Sequence, residues 1–526
     1  MSDASHEGGP SPPPTPETPS WATQPAPDPR RWWGLVVIAI AQLMVVLDAT
    51  IVNIALPSAQ HDLGMSDANR QWVITAYTLA FGGLLLLGGR IADLMGRKRT
   101  FMIGLVGFAV ASGLGGAAQG PGLLFGARAL QGAFAALLAP SALSLLTTTF
   151  TIGKERSKAF GIYGAIAGGG AAIGLIAGGL LTEYLNWRWC LYVNIPIAAL
   201  AFAGAAVFLH DKPERAAAHL DVRGVALGCA GLVAIVYGCS EAQPRGWSDS
   251  RVIALLVGGV ALLAVFAWWQ TRARHPLLPL HIVRDRNRGG AFLTMGLAFI
   301  AMFGMFLFMT YYFQVVLGYS PVKAGLAFLP MVAAIVIGST QISARLLHRI
   351  APRMLMVPGA LLAAAGLYTL TFVTARSAYA AHVLPAELLV GAGMGLIFMP
   401  VIATATSGVA LHDAGVTSAT VNTAQQVGGS VGTALLNTIA TSTSATYVAS
   451  HLADAARQNA GRITPAMRDG IVKDGVVHGF NVAIGVGSLI MLLAAVVAGL
   501  MITTRTAKQG PVAEEAPPAV SDQRRV

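Results

Sequence analysis

Three ionisable residues fall inside long apolar stretches of this sequence: Asp48, Arg128 and Glu387. An acid within hydrocarbon costs roughly 2.5–3.5 kcal/mol on insertion scales, so each of these carboxyl groups is a candidate functional group. Desolvation disfavours the charged form of Asp48, which makes it a candidate to take up and release protons; its alternative role is a polar tie to Asn53 or Thr50. Arg128 keeps its charge, so it must face a partner or a wet cavity, and its alternative role is a structural ion pair. Proton exchange is therefore the chemistry that these residues predict.

The stretches that contain these residues predict an all-α membrane protein. The sequence is 55% hydrophobic and only 11% charged, a balance that is rare in soluble proteins. Each apolar block approaches the roughly 20 residues that cross the hydrocarbon core as a helix. Helices satisfy every backbone polar group in lipid, and the strand-length alternation of a barrel is absent. We identify fourteen blocks, which begin near Trp32, Gln71, Thr100, Gly122, Ala159, Arg188, Val222, Val252, Ala291, Ala324, Met354, Ala381, Val416 and Gly479.

The formal net charge of +11 describes topology rather than a nucleic-acid partner. If the N-terminus is cytoplasmic and fourteen spans alternate, most lysine and arginine residues fall in the inner loops and tails. Positive charge resists translocation, so this bias places both termini in the cytoplasm. The prediction is a multi-pass protein of the bacterial cytoplasmic membrane.

The spans fall into two sets of six with an extra pair between them. Residues 1–30 hold nine of the 27 prolines and no apolar run, which predicts a disordered cytoplasmic tail. Segment 344–353 can be aligned with 89–98, with His348 at the position of Asp93. A weak internal repeat of this kind is expected when two halves of a transporter move around a central site. The predicted organisation continues with a six-helix bundle over 31–210, two additional helices with linkers over 211–275, a second six-helix bundle over 276–503 and a cytoplasmic tail over 504–526.

The turn between the second and third spans combines glycines, an acid and cations in the order Gly89-Arg90-Ile91-Ala92-Asp93-Leu94-Met95-Gly96-Arg97-Lys98-Arg99. A basic loop can also simply set topology. This order resembles the signature loop of the major facilitator superfamily of transporters. The resemblance implies a cytoplasmic loop whose charges hold the inward-closed gate. The implied gate residues are Gly89, Asp93, Gly96, Arg97 and Arg99.

Further segments resemble the fourteen-span drug:proton antiporters of that superfamily. They are Leu47-Asp48-Ala49-Thr50-Ile51-Val52-Asn53-Ile54-Ala55-Leu56-Pro57, Arg128-Ala129-Leu130-Gln131-Gly132, Trp187-Arg188-Trp189 with Asn194-Ile195-Pro196, and Tyr312-Phe313-Gln314 through to Pro330. The resemblance covers nearly everything between residues 32 and 503. It implies the major facilitator fold, with two six-helix halves plus two extra central helices, and it links Arg128 to proton coupling.

In that fold spans 1, 4, 9 and 12 line the central cavity, so Asp48, Arg128 and Glu387 would face it together as coupling residues. Glu387 matches no motif of the family. Its alternatives are to bind a cationic substrate or to lie near the outer surface.

The fifth span carries small residues at helical spacing: Gly170, Gly174, Gly178 and Gly179. Such a stripe lets another helix approach closely, which makes it a packing motif. Leu175 follows Gly174 where the antiporter motif has a proline. The sequence therefore does not support the kink attributed to that motif.

The ninth span is unusually rich in aromatic and methionine side chains, which adapt to unlike apolar ligands. The thirteenth span adds amides that can hydrogen-bond a ligand or tie helices together. Many of these side chains must instead face lipid or neighbouring helices. The predicted substrate-cavity residues are Phe306, Met309, Tyr312, Gln314, Asn422 and Gln425.

The predicted function is proton-coupled efflux of amphiphilic drugs or antibiotics by alternating access, with the proton gradient as energy source. The predicted partners are a small amphiphilic or aromatic substrate, protons and the lipid bilayer, and the protein is expected to be a monomer. No P-loop order occurs, and Cys190, Cys229 and Cys239 show no metal or disulfide spacing, so neither an enzyme nor a cofactor is predicted. Two alternatives keep the fold: a dedicated exporter of a single natural product, and a lipid transporter. A third, an antiporter-like subunit of a respiratory proton pump, is disfavoured because the spans hold almost no lysine.

Overall fold

A computed structural model of the chain describes its membrane region. The described residues are 30–150, 153–209, 221–274, 276–278, 280–347, 349–407, 409, 414–458 and 464–503. Within these ranges the chain is almost entirely helical and contains no strand. The tails at 1–29 and 504–526, and His348, lie outside the described residues.

Within the described residues, fourteen long helical segments follow one another in register with the fourteen apolar blocks, and a short helix, Leu280–Arg284, precedes the ninth. They are α1 (Arg31–Asp62), α2 (Trp72–Met95), α3 (Arg97–Gly116), α4 (Pro121–Thr149), α5 (Gly153–Tyr184), α6 (Trp189–Phe208), α7 (Val222–Arg245), α8 (Ser250–Arg272), α9 (Arg286–Val316), α10 (Pro321–Leu346), α11 (Arg353–Leu370), α12 (Tyr379–Thr406), α13 (Ala414–Gln458) and α14 (Pro465–Met501). Within the described ranges, twelve of them are long and apolar enough to cross a membrane, the exceptions being α5 and α13. The predicted all-α membrane class is confirmed, and the predicted count of fourteen is consistent with these helices.

Several of these helices are interrupted near their ends. α9 ends in a π-helical turn at Tyr312–Val316, and α12 begins with one at Tyr379–Val383. α10 breaks at Phe328, two residues before Pro330, and contains a further π-helical turn at Gly338–Ser343. π-helical turns are found frequently at functional sites, because they displace side chains from the regular helical positions.

The helices pack as two bundles with α7 and α8 at their side. α1 to α6 pack among themselves, and α9 to α14 do the same. α7 packs on α2 and α13, one helix from each bundle, and α8 packs on α7. The extra pair therefore lies at the junction of the two bundles.

Across the two bundles α2 packs on α13 and α5 packs on α10, and further contacts form a seam at one end of the molecule. We name the end where α1 begins and α14 ends the tail face, and the opposite end, where α1 ends and α2 begins, the far face. At the far face Gln314 Nε2 donates to the Ile54 carbonyl at 2.9 Å. The Val322 amide donates to Glu183 at 3.0 Å. These contacts close the far face between α1 and α9 and between α5 and α10.

Arg70, at the start of α2, strengthens this seam and escaped the sequence predictions. Its side chain is buried, and Nη1 pairs with Asp67 at 3.1 Å. Its Nε donates to Asn437 Oδ1 of α13 at 3.4 Å. The guanidinium also lies 3.8 Å from the centre of the Tyr311 ring of α9. One buried cation of the first bundle thus contacts two helices of the second.

The backbones of α5 and α10 lie in close contact, and this contact extends the seam. Gly325 lies against the Leu175 carbonyl, and Gly179 lies against the backbone of Val322, so a Cβ at either glycine would collide with main-chain atoms. The other three glycines of the predicted packing motif, Gly170, Gly174 and Gly178, contact α1 instead.

Candidate functional site: a buried ion-pair network

Asp48 lies in the interior of the first bundle with donors on both carboxylate oxygens. Arg128 Nη1 donates to Oδ2 at 2.6 Å. Gln131 Nε2 and Asn194 Nδ2 donate to Oδ1 at 3.0 and 2.9 Å. The four residues are at most 1% exposed. Three N–H donors and one full positive charge stabilise the ionised carboxylate, which burial alone would disfavour.

Arg128 distributes its donors over the same network. Nη1 also donates to Gln131 Oε1 at 2.8 Å, and Nε donates to the Val73 carbonyl at 2.9 Å. The guanidinium carbon lies 4.4 Å from the centre of the Tyr77 ring. Planar geometry and a fixed fork of donors let arginine serve these acceptors and a ring face together.

Gln131 connects the charged pair to a further helix. Its Nε2 donates to Asp48 and, at 2.7 Å, to Ser112 Oγ. The network therefore draws on α1, α3, α4 and α6, with backbone support from α2. All of these helices belong to the first bundle.

Thr50 and Asn53, the alternative hydrogen-bond partners considered for Asp48, bond to backbone carbonyls instead. Thr50 Oγ1 donates to the Val46 carbonyl at 3.0 Å, and Asn53 Nδ2 donates to the Ala49 carbonyl at 2.8 Å. Gln131 and Asn194 take the places of these residues beside Asp48. Both lie within the segments that resemble the transporter family, Arg128 to Gly132 and Asn194 to Pro196, and that was the available signal.

Glu387 lies in the second bundle, apart from this network. The Tyr379 hydroxyl is 3.1 Å from Glu387 Oε2 and 2.7 Å from the Ala327 carbonyl oxygen of α10. Glu387 is fully buried, and Oε1 has no hydrogen-bond partner among the described residues. Of the three predicted coupling residues, the structure joins Asp48 with Arg128 and places Glu387 in a separate aromatic environment.

The predicted gate lies at the tail face, where α2 meets α3. Gly96 joins the two helices with φ +94°, a conformation that side chains other than glycine rarely adopt. Arg97 is half-buried as the first residue of α3, and Arg99 is exposed. Gly89 faces Pro140 of α4. The Asp93 side chain lies outside the described side chains, so its gate role stays a prediction.

Arg90, within the same loop, has a contact that the sequence did not indicate. Its Nη2 donates to the Pro276 carbonyl at 3.1 Å, between α8 and α9. The gate segment is thereby connected to the chain that leads into the second bundle.

The predicted substrate-cavity residues divide into three groups. Met309 and Tyr312 are buried, and Tyr312 donates to the Thr374 carbonyl at 2.8 Å. Gln314 belongs to the far-face seam. The remaining three keep exposed surface: Phe306 and Gln425 are half-buried, and Asn422 is exposed.

The match to known proteins agrees with this architecture. Residues 38–433 match the profile of the Major Facilitator Superfamily. The chain belongs to this superfamily. A protein of Streptomyces alboniger, the puromycin resistance protein pur8, is 56% identical over 482 residues, which cover 91% of this chain and 93% of that protein.

A second relative is the cephamycin export protein CmcT of Amycolatopsis lactamdurans, 39% identical over 80% of this chain and 88% of that protein. Among solved structures, a bacterial homologue of the human lysosomal transporter Spinster, captured inward-facing and unoccupied, superposes with a TM-score of 0.61. It is 16% identical and covers 91% of this chain and 100% of that structure, so the likeness concerns the fold. The predicted superfamily and fold are confirmed, and the protein is a multi-pass membrane transporter, not an enzyme.

Proposed function

We propose that this transporter exports small amphiphilic or aromatic antibiotics across the bacterial cytoplasmic membrane, driven by the proton gradient. The support for the cargo class is the likeness to pur8 and CmcT, which are named for puromycin resistance and cephamycin export. Each of these names refers to a single antibiotic. This favours a dedicated exporter as the second candidate, on the same fold and with the same energy source.

The observation that carries proton coupling is the Asp48–Arg128 pair at 2.6 Å, buried within helices that must move. Protonation of Asp48 removes the negative charge that faces Arg128. Leaving one member of a buried pair uncompensated costs about 3–5 kcal/mol, whereas one charge crossing the membrane potential yields about 2.3 kcal/mol per 100 mV. The cost is of the same order as the free energy of one proton crossing, so protonation of Asp48 favours an arrangement of the helices in which Arg128 has another partner.

Alternating access is supported by the one-sided seam. The inter-bundle contacts of Arg70, Gln314 and Gly325 all lie at the far face. If the positive-inside bias sets the tail face in the cytoplasm, this conformation is closed to the outside. Cargo would then enter from the tail face and leave when the seam opens.

Side chains toward the tail face are suited to recognise cargo. The Tyr163 hydroxyl of α5 donates to Gln42 Oε1 of α1 at 2.7 Å. Across the seam, α13 contributes Asn422 and Gln425. These polar groups, beside the aromatic side chains of α9, fit ligands with both polar and flat apolar parts.

The test uses purified protein in liposomes with an imposed proton gradient. The wild type should concentrate puromycin or a fluorescent amphiphile in inverted vesicles, and Asp48→Asn should lose gradient-driven uptake. If it folds, the variant should keep cargo exchange in the absence of a gradient, because the side chain at position 48 does not touch the proposed cargo residues. The exposed Asp469→Asn is the matched control. Unchanged uptake by Asp48→Asn would refute the coupling role, and a failure of wild type with every cargo would refute the function.

A further inference from the structure

The contacts between Tyr379, Ala327 and Glu387 indicate which group carries the proton between Tyr379 and Glu387. Tyr379 Oη lies 2.7 Å from the Ala327 carbonyl oxygen and 3.1 Å from Glu387 Oε2. A carbonyl oxygen only accepts, so the phenolic proton is donated to Ala327. Tyr379 has no second proton to give. One phenolic proton cannot complete both contacts as full hydrogen bonds, and the shorter contact is the one to Ala327. A protonated carboxyl group that donates to Oη would satisfy both contacts.

The two membrane acids thus have opposite surroundings. The Asp48 carboxylate accepts from three N–H groups, including one arginine. Glu387 has no N–H donor and no ion pair among the described residues, and its Oε1 is unpartnered. An unpartnered oxygen is far less costly on a neutral acid than on a buried carboxylate. These surroundings favour the neutral acid at Glu387.

Aromatic side chains pack around Tyr379, the partner of Glu387. On the α9 and α10 side, the Phe313 ring contacts Tyr379 at 5.9 Å and Phe328 at 5.2 Å between centroids. Lys323 is a charged group on that side, and its Nζ lies 3.8 Å from the centre of the Tyr319 ring. Tyr319 in turn stacks on Phe313 at 6.0 Å.

The end of α9 and the α11 helix complete these surroundings. Tyr312, a titratable group at the end of α9, has its ring 6.1 Å from that of Phe313 and donates to the Thr374 carbonyl. α11 packs on this part of α12 through Gly366, which faces Ala386 and Val390.

We propose that Glu387 is a second proton-binding site, separate from Asp48, which holds its proton while the far face is closed. When that proton leaves to water, the Tyr379 proton turns to the new carboxylate, and the Ala327 carbonyl loses its donor. No covalent bond other than the carboxyl O–H changes. Ala327 directly precedes the break in α10, and Gly325 and Val322 on the same short segment form the seam with α5. Proton release from Glu387 therefore loosens α10 where it closes the far face.

The protonation state is tested by infrared difference spectroscopy on the purified full-length transporter in lipid nanodiscs. At neutral pH the wild type should show the carbonyl band of a protonated carboxylic acid, and Glu387→Gln should remove it. Asp48→Asn should leave that band in place. The matched control is Glu241→Gln, whose carboxylate pairs with Arg245 at 2.6 Å and gives no acid band. An acid band that is unchanged in Glu387→Gln overturns the proposal.

Tyr379→Phe gives a second readout if Glu387→Gln does not fold. Without the hydroxyl oxygen the acid O–H loses its acceptor, so the Glu387 band should move to higher frequency; an unmoved band counts against the assignment. The predicted effect of Glu387 on transport rests on the proposed function. The prediction that Glu387 is protonated does not. Glu387→Gln should lower the number of protons moved per cargo molecule. If Asp48→Asn still couples uptake to the gradient while the Glu387 band is present, the coupling role of Asp48 fails and this site stands. If the wild type moves no cargo while the band is present, the proposed function fails and the protonation of Glu387 stands.

Discussion

Asp48, Arg128 and Gln131 form a ring of hydrogen bonds in which each side chain contacts the other two. The ring is closed because the amide of Gln131 offers an acceptor to the cation and a donor to the anion. Both charges thereby have hydrogen-bond partners within the ring. A change at one member leaves unpaired groups at the other two, so the ring responds to a proton as one unit.

Arg128→Lys tests whether the ring needs the guanidinium group or only its charge. Lysine keeps the charge, but it loses the fixed fork that reaches Asp48, Gln131 and the Val73 carbonyl together. One charge-assisted hydrogen bond is worth about 1.5–3 kcal/mol, so gradient-driven uptake should fall at least about tenfold in the liposome assay. The exposed Arg251→Lys is the control. Wild-type uptake by Arg128→Lys would show that charge alone suffices.

The sequence was sufficient to find Asp48 and Arg128, because a charge in an apolar stretch stands out. It was not sufficient to find Ser112, Gln131 and Asn194 as their partners. Uncharged polar residues are ordinary in membrane helices, and their contacts depend on how each helix is rotated about its axis. Glu387 lies in the other bundle beside Tyr379, so it does not join the Asp48 network.

Among the helices, α13 and α14 differ most from the hydropathy pattern. The last span was expected near Gly479, but α14 begins at Pro465, and α13 runs for 45 residues to Gln458. Their polar extensions pack together: Gly475 lies against Val448, and the rings of Tyr447 and His478 are 4.8 Å apart. A hydropathy pattern detects only the apolar part of a helix that lies in the hydrocarbon core. The polar ends of α13 and α14 were therefore predicted as a loop.

The break in α10 and the π-helical start of α12 also escaped prediction. Pro330 indicates that a hydrogen bond is missing, because it has no N–H to donate to the preceding turn. The proline does not indicate that the segment before it packs on α5 through Gly325. The glycine stripe of α5 was predicted as a packing motif, yet its partners, α1 for three glycines and α10 for Gly179, required the tertiary structure.

Gly325→Val tests the role of this helix contact in closing the far face. The added side chain meets the Leu175 carbonyl, and such overpacking costs about 1–3 kcal/mol in the conformation where the helices touch. The variant should therefore favour the open far face. A cysteine at the half-buried seam position, Val322→Cys, in a background without the native cysteines, should then react faster with a membrane-impermeant maleimide.

Gly258→Val is the matched control, because a Cβ at Gly258 meets no atom within 4 Å. Equal labelling rates in Gly325→Val and Gly258→Val would show that the α5–α10 contact does not hold the seam shut.

At the scale of the whole molecule, Arg70 connects the two bundles most directly. It contacts Asn437 and Tyr311 of the second bundle while paired with Asp67 of the first. The sequence placed Arg70 in a loop, where a cation usually indicates topology and little else. Its burial depends on the approach of the two halves, which no local pattern encodes.

Arg70→Ala should shift the population toward the open far face. The lost contacts are charge-assisted or aromatic, and conformational couplings of this kind amount to about 1–3 kcal/mol, or roughly five- to 150-fold in equilibrium. The maleimide reaction at Val322→Cys should accelerate accordingly. Arg376→Ala, an exposed arginine of the α11–α12 turn, is the control. A labelling rate equal to that of the control would mean that Arg70 is dispensable for closure.

The confinement of the Asp48 network to the first bundle has a consequence for how such transporters diversify. Everything that holds Asp48 is encoded between residues 31 and 208, so this stretch behaves as an exchangeable module. Selection can alter aromatic and amide positions on α9 and α13 without touching the proton-handling part. We therefore expect a chimera that joins the first half of this chain to the second half of a relative to take its cargo preference from the relative and to keep the Asp48 dependence of this chain.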